Sequence, residues 1–169
     1  MIEISRQYLE IKNIKQLKDT NYSGEECNIV HIKKPDFQLN KFLYKQIGKK
    51  YNWVDRLVWT DRQWRHYVSN EEVFTYVLKK KDDLAGFFEL IFHRNKSEIE
   101  MAYFGLLEEY MGKKLGGYML SDAIKKSFSL NANRVWVHTC SLDHKNALEN
   151  YLSRGMKIFN TEVMNVKTA

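Results

Sequence analysis

Three β-type segments follow one another closely in the second half of the chain, and they constrain the fold more than any other feature. They begin near Val73, Leu84 and Ile99 and are separated only by short polar turns. Segments joined in this way pair as an antiparallel meander. A loop that contains glycine follows the third segment, and apolar residues then recur at helical spacing from Leu115 to Phe128. The pattern predicts an α/β domain.

The rest of the chain supplies further strands and helices, in the predicted order β-β-α-α-β-β-β-α-β-α-β. We predict a helix that begins after Asp36, a second that begins at Thr60-Asp61, and a last one over Asp143–Ser153 that Gly155 ends. No linker and no internal repeat divides the sequence. Residues 1–169 are therefore expected to form a single domain with one mixed sheet.

Hydropathy gives no indication of a membrane protein. Hydrophobic residues make up 44% of the chain, yet no apolar run approaches the roughly 18 residues that cross a bilayer. The longest candidate, Gly86–Phe92, has the length of a strand and contains Glu89. The N-terminal residues lack the apolar segment of a signal peptide. We expect a cytoplasmic protein without a membrane partner.

The cysteines and the charge narrow the class of ligand. Cys27 and Cys140 are too few for a disulfide framework and lack the spacing of zinc ligands, so no metal is expected. The net charge is +6, but the lysines stand in short separate runs and no nucleic-acid-binding motif accompanies them. We therefore expect no nucleic-acid partner. A basic chain favours a polyanionic ligand such as a nucleotide-bearing cofactor.

The loop before the Leu115 helix has the composition of an anion site. Gly112, Gly116 and Gly117 allow close approach of the backbone, and Lys113 and Lys114 supply charge. Free N–H groups at a helix N-terminus bind anions, and the helix dipole adds to the attraction. A pyrophosphate cradle and an ordinary strand-to-helix turn both agree with the loop taken alone.

The segment Met111–Gly116 resembles the acetyl-CoA loop of the GNAT superfamily of N-acetyltransferases, whose pattern is Gln/Arg-x-x-Gly-x-Gly/Ala. Gly116 matches the last position, whereas Met111 and Lys114 depart from the first residue and the middle glycine. Backbone donors bind an anion whatever the side chains are, and Lys114 adds a positive charge.

A second match to the same superfamily lies downstream. Its members carry a strand, then Asn-x-x-Ala-x-x-Phe-Tyr, then Gly-Phe. Here Ala147, Tyr151 and Gly155 keep their places, while His144 and Asn150 replace the usual Asn and Phe. The spacing from the loop to this segment also agrees.

Together the two matches span about residues 72–160, and a looser similarity to a bacterial GNAT subgroup of unassigned substrate covers nearly the whole chain. The resemblance implies a GNAT-like, mostly antiparallel sheet that is flanked by helices and splayed at the acetyl-CoA site. It implies that a strand edge, the loop and one residue downstream, His144, contact the cofactor. These residues are Phe104, Gly105, Leu106, Leu107, Met111, Gly112, Lys113, Lys114, Leu115, Gly116, Gly117 and His144. Gly105 would also mark a bulge that exposes the edge.

The resemblance also implies the catalytic groups. Tyr151 falls at the family's general-acid tyrosine, where the alternative is a packing aromatic. Glu100 stands six residues before Leu106, where histone-type members place a glutamate base, and strand alternation puts it on one face with Phe104. Glu89, which would have a raised pKa if buried in its apolar strand, is the rival. A water chain is the third route for the proton.

Other conspicuous side chains have simpler explanations. His138 on its strand is more often structural than catalytic, and a His138–Cys140 nucleophile pair has poor geometry because the two side chains run parallel. The aromatic stretch Trp53–Tyr67 forms either core or the wall of an acceptor pocket.

Three functions remain open from the sequence. The first is transfer of an acetyl group from acetyl-CoA to a primary amine of a small molecule or protein by direct attack on the thioester. The second is a non-catalytic acyl-CoA-binding or sensor module on the same fold. The third is a basic nucleic-acid-associated domain. The sequence names neither the acceptor nor the oligomeric state, and both a monomer and a homodimer are open.

Overall fold

The computed structural model describes residues 1–169. The strands are β1 (Ile2–Ile11), β2 (Cys27–His31), β3 (Val73–Lys80), β4 (Asp83–His93), β5 (Glu98–Leu106), β6 (Arg134–Cys140) and β7 (Lys157–Val166). The helices are α1 (Phe37–Gly48), α2 (Asp61–Val68), α3 (Leu115–Ser129) and α4 (Ala147–Ser153). This order of strands and helices agrees with the prediction. None of the helices has the length and apolar character that a bilayer crossing requires.

Local signals in the sequence determine where α1 and α2 begin. The carboxylate of Asp36 accepts the N–H of Leu39 at 3.3 Å. Thr60 and Gln63 form a reciprocal capping box at the start of α2. Each cap satisfies backbone donors that the first helical turn leaves free. Both predicted helix starts are confirmed.

The seven strands form one sheet in the order β2-β3-β4-β5-β6-β1-β7. Every neighbouring pair is antiparallel except β5 and β6, which are parallel. The predicted meander is β3-β4-β5, and its first turn is tight because Lys81 and Asp82 adopt φ angles of 50° and 70°. The prediction of a mixed, mostly antiparallel sheet is confirmed.

The parallel pair is short, and the sheet opens beyond it. β5 and β6 pair only where Glu98–Glu100 meets Arg134–Trp136. From there β5 stays with β4 as far as Leu106, while β6 stays with β1 as far as Cys140. The facing edges therefore diverge, and their backbone N–H and C=O groups have no strand partner across the gap. This opening is the splay that the resemblance implied.

Helices cover both faces of the sheet. α3 and α4 lie over the main core, which includes Leu9, Phe88 and Val137. α1 lies over a smaller core on the other face, built from Leu43, Ile47, Val77, Phe87 and Leu107. The open end of the sheet thus lies between helices that are themselves fixed by packing.

Two local predictions are wrong. The last helix begins at Ala147 rather than at Asp143, because the Asp143 carboxylate instead accepts the Thr139 hydroxyl at 2.6 Å and the Cys140 N–H at 3.0 Å. Asp143 therefore closes the turn after β6.

The bulge in β5 lies at Ala102 and not at Gly105. Met101 and Tyr103 oppose consecutive residues of β4, so Ala102 is the extra residue. The bulge resets the alternation of side chains, and Phe104 packs on the core under α3. Glu100 therefore shares its face with Tyr103 rather than with Phe104.

Candidate active site

A cleft of about 730 Å³ occupies the opening between β5 and β6. Phe104–Leu106 forms one wall, and Val137, His138 and Cys140 form the other. The first turn of α3 and the length of α4 also line the cleft, and so do several residues that precede α2. A cleft of this size accommodates a cofactor-sized molecule.

Several backbone N–H groups are free where the cleft meets the start of α3. Lys114, the N-cap of α3, has φ 65° and offers no side-chain cap. The N–H groups of Gly112, Lys113 and Lys114 donate to no backbone acceptor, and the first helical N–H groups are free in any helix. Gly112 also has φ 73°, a backbone conformation that glycine adopts without strain. These free amides agree with the predicted cradle, which remains a prediction.

Arg154 is a residue of this cradle that the sequence did not reveal. It lies at the end of α4, lines the cleft, and has a buried Nε without a hydrogen-bond partner. Its Nη1 lies 3.0 Å from where a Cβ on Gly117 would stand, so its guanidinium adjoins the start of α3. A guanidinium suits phosphate oxygens. Arg154 follows Tyr151 by three residues, so helical spacing could have indicated from the sequence that the two side chains share a face.

Most of the residues predicted for cofactor contacts line the cleft. They are Phe104, Gly105, Leu106, Met111, Gly112, Lys114, Gly116, Gly117 and His144. Leu107 and Leu115 instead pack in the two cores, and the Lys113 ammonium lies 5.7 Å from the ring centre of Tyr110. The structure therefore does not bring the side chains of Leu107, Lys113 and Leu115 to the cleft.

The side chains of Ile47 and Trp53 pack closely on Gly105 of β5. A Cβ there would lie 2.7 Å from Ile47 and 3.3 Å from Trp53. Any larger residue would push α1 away from β5, so glycine keeps this wall of the cleft in place.

The Tyr151 side chain is buried and lines the cleft beside Phe104, with 6.3 Å between the ring centres. Burial, with a smaller contribution from the Asp143 charge, raises the pKa of the Tyr151 phenol. The phenol therefore keeps its proton at neutral pH, which is the form that a general acid requires.

The two candidate bases have different surroundings. Glu100 lines the cleft, and its carboxylate lies 3.0 Å from Nε2 of His93. Glu89 does not line the cleft and is fully buried. Only Glu100 is positioned to meet a bound molecule.

Glu89 belongs to a buried ion-pair network rather than to an apolar pocket. Its carboxylate accepts Arg56 at 2.9 Å, Tyr67 at 2.8 Å and Asn40 at 2.9 Å. The Arg56 guanidinium also stacks on several rings, among them Tyr67 at 4.2 Å and Tyr103 at 4.5 Å. The expectation of an apolar setting for Glu89 is wrong, because Arg56 supplies the compensating charge.

Comparison with known proteins agrees with this geometry. The model of the acetyltransferase (GNAT) family matches residues 29–156. This chain belongs to the GNAT family. The comparison with curated protein sequences gives no match.

Solved GNAT structures share the fold at low sequence identity. A GCN5-related N-acetyltransferase from Sphaerobacter thermophilus superimposes with a TM-score of 0.69 at 12% identity, covering 95% of this chain and 50% of that one. One from Kribbella flavida gives 0.66 at 13%, covering 94% and 56%. Spermidine N-acetyltransferase from Vibrio cholerae, in complex with CoA and spermine, gives 0.64 at 16%, covering 78% and 80%. The chain thus spans about half the length of the first two structures.

The aromatic stretch of this GNAT domain divides between core and cleft. Trp64 is fully buried, whereas Trp53 and Trp59 line the cleft together with Tyr103. Asp55, also on the cleft wall, is exposed and forms no ion pair. Aromatic faces beside a free carboxylate suit an organic cation.

His138 and Cys140 do not form a nucleophile pair in this GNAT site. No hydrogen bond joins them, and the His138 ring packs against Tyr8 with 5.6 Å between centres. Burial raises the pKa of the Cys140 thiol, which disfavours the reactive thiolate. Loss of hydration and the Arg6 charge lower the pKa of His138, so it is neutral at pH 7.

Proposed function

We propose that this GNAT-family protein, acting as one domain over residues 1–169, transfers an acetyl group from acetyl-CoA to a primary amine. One observation carries the proposal: an uncapped helix N-terminus, with Arg154 beside it, lines a cleft whose other walls are open strand edges. The Vibrio cholerae relative, a spermidine N-acetyltransferase seen with CoA and spermine, supports an amine acceptor.

The residues of the cleft fit acetyl-CoA. The pyrophosphate would meet the free amides of Gly112–Lys114 and the first turn of α3, and Arg154 would neutralise part of its charge. The pantetheine arm would pair with the open edge at Phe104–Leu106, as a further strand would. Acetyl-CoA supplies the acetyl group as a thioester.

The chain's own groups then move two protons. The acceptor nitrogen must lose a proton as it attacks the thioester carbon, and we assign the acceptance of this proton to Glu100, directly or through water. The sulfur must gain a proton as it leaves, and we assign its donation to Tyr151. The free N–H groups on the β5 edge stabilise charge on the carbonyl oxygen.

Two measurements test the proposal. Acetyl-CoA is expected to raise the melting temperature and to give a calorimetric binding heat, because it binds only the folded protein. With a broad panel of primary amines, it is expected to release free thiol. Absence of both effects at millimolar acetyl-CoA would contradict the proposal. Binding without thiol release for any amine would instead indicate a non-catalytic acyl-CoA-binding module.

A further inference from the structure

Arg6 is an unpaired cation in the wall of the cleft. Its side chain forms no ion pair and no hydrogen bond with the protein, and its Nε is buried without a partner. Buried N–H groups are nearly always satisfied, because leaving one without an acceptor costs free energy. The two Nη groups of Arg6 form no hydrogen bond either and remain accessible to an anion in the cleft.

The nearby carboxylates are engaged elsewhere. Strand register sets Glu162 opposite Arg6, but the Glu162 carboxylate accepts the Tyr8 hydroxyl at 3.2 Å. Asp143 is held by Thr139 and by the Cys140 N–H. Arg6 therefore forms no ion pair with either carboxylate, although Glu162 stands opposite it on β7.

Register also places Arg6 on the acceptor side of the sheet. Arg6 pairs with Cys140 and Tyr8 pairs with His138, so these four side chains share one face. The alternate residues of β6, Val137 and Thr139, are buried on the opposite face. The anion that meets Arg6 thus approaches from the face away from α3, whereas Arg154 already serves the phosphate end.

Arg6 and Glu100 lie at a spacing that one small molecule can bridge. Glu100 pairs with Trp136 and Arg6 pairs with Cys140, so their Cα atoms are separated by roughly 13 Å along the strands and roughly 10 Å across β6. Both side chains are long and line the same cleft, which shortens the gap between their charged ends. An amine at Glu100 would carry its own anion towards Arg6.

We propose that Arg6 binds a carboxylate of the acceptor, so that the acceptor is an amine that also carries a carboxylate, such as an amino acid or the end of a peptide. The inference rests on the proposed acetyl transfer and names the class of its substrate. The carboxylate pairs with Arg6 through two N–H donors, and the amine lies towards Glu100 and Asp55.

The test uses acceptors that differ only in the carboxylate. Lysine is compared with 1,5-diaminopentane, and a short peptide with a free C-terminus is compared with its amide. The acid of each pair is expected to have a kcat/KM at least about 10-fold higher in the native protein, the scale of a charge-assisted hydrogen bond. Arg6→Met is expected to remove this preference by raising KM for the acid alone, and Arg6→Lys to keep part of it.

Controls separate this inference from the proposed function. Arg62→Met removes an exposed arginine outside the cleft and is expected to leave kcat/KM unchanged for both acceptors of a pair. Calorimetric titration of the carboxylate-bearing acceptors into CoA-loaded protein measures their binding, and no turnover occurs because CoA carries no acetyl group. If no amine is acetylated but the acids bind and Arg6→Met abolishes binding, the proposed function fails, and Arg6 is a carboxylate-binding residue but not part of an acceptor site. If each acid reacts no faster than its partner without the carboxylate, or if Arg6→Met keeps the preference, the inference is wrong while acetyl transfer stands. The inference is also wrong if no acid binds or reacts.

Discussion

The buried phenol of Tyr151 allows a sharp test of proton transfer at the level of one residue. As a general acid it acts only when sulfur departs, so Tyr151→Phe is expected to lower kcat by about 100-fold and to leave acetyl-CoA affinity unchanged. Because burial raises the pKa of this phenol, it stays protonated below that raised value. The shape of the pH–kcat profile between pH 6 and 9 should therefore be the same in both proteins. A native rate in Tyr151→Phe, with chemistry shown to limit turnover, would make the tyrosine a packing residue.

Substitution of Glu89 is expected to affect stability, and substitution of Glu100 is expected to affect activity. Glu89→Gln leaves the buried Arg56 charge uncompensated, so the free energy of unfolding should fall by about 3–5 kcal/mol. Glu100→Gln removes a partly exposed carboxylate from the cleft, so it should lower kcat with little change in stability. Thermal melts and steady-state rates measure the two effects. If the Glu89→Gln protein is stable but inactive, Glu89 rather than Glu100 is the residue that activity requires.

At the level of one element, the start of α3 decides cofactor binding. Gly116→Asp places a carboxylate where the phosphates would lie, and the nearest atom to a Cβ there, Asn150 Nδ2, is 3.6 Å away, so the helix has room for the change. Like-charge repulsion is expected to weaken acetyl-CoA binding by about 100-fold or more. Gly116→Asn, of equal size and no charge, is the matched control. Equal calorimetric affinities for the two variants would place the phosphates elsewhere.

Elements with a local cause were predictable from the sequence, and those decided by distant partners were not. Asp36 and Thr60 cap the helices that follow them, and short polar turns define the meander. Asp143 has the same capping chemistry as Asp36, yet its carboxylate is taken by Thr139. The charge beside Glu89 comes from Arg56, 33 residues away in sequence, and no spacing rule connects the two. The cleft loop was predictable because glycines mark it, whereas Arg154 and Arg6 carry no such mark.

For the whole molecule, the short junction between β5 and β6 makes the sheet two halves. One half contains β2 to β5, the other contains β6, β1 and β7, and only Glu98–Glu100 pairs across. A molecule bound between them would contact both halves at once. Acetyl-CoA is therefore expected to slow amide hydrogen exchange on both walls of the cleft, at residues 103–106 and 137–140. Slowing on one wall alone would show that the ligand does not bridge the opening.

The bulge at Ala102 lies two residues beyond Glu100, the last residue of β5 that pairs with β6. Side chains beyond it are out of phase with the parallel register, so it limits how far the two strands can join. Each further pair would shorten the gap by about 3.3 Å. The number of residues before the bulge thus sets the depth of the opening, independently of the residues that line it. An insertion moved one position along β5 is therefore expected to lengthen or shorten the cleft by about one residue.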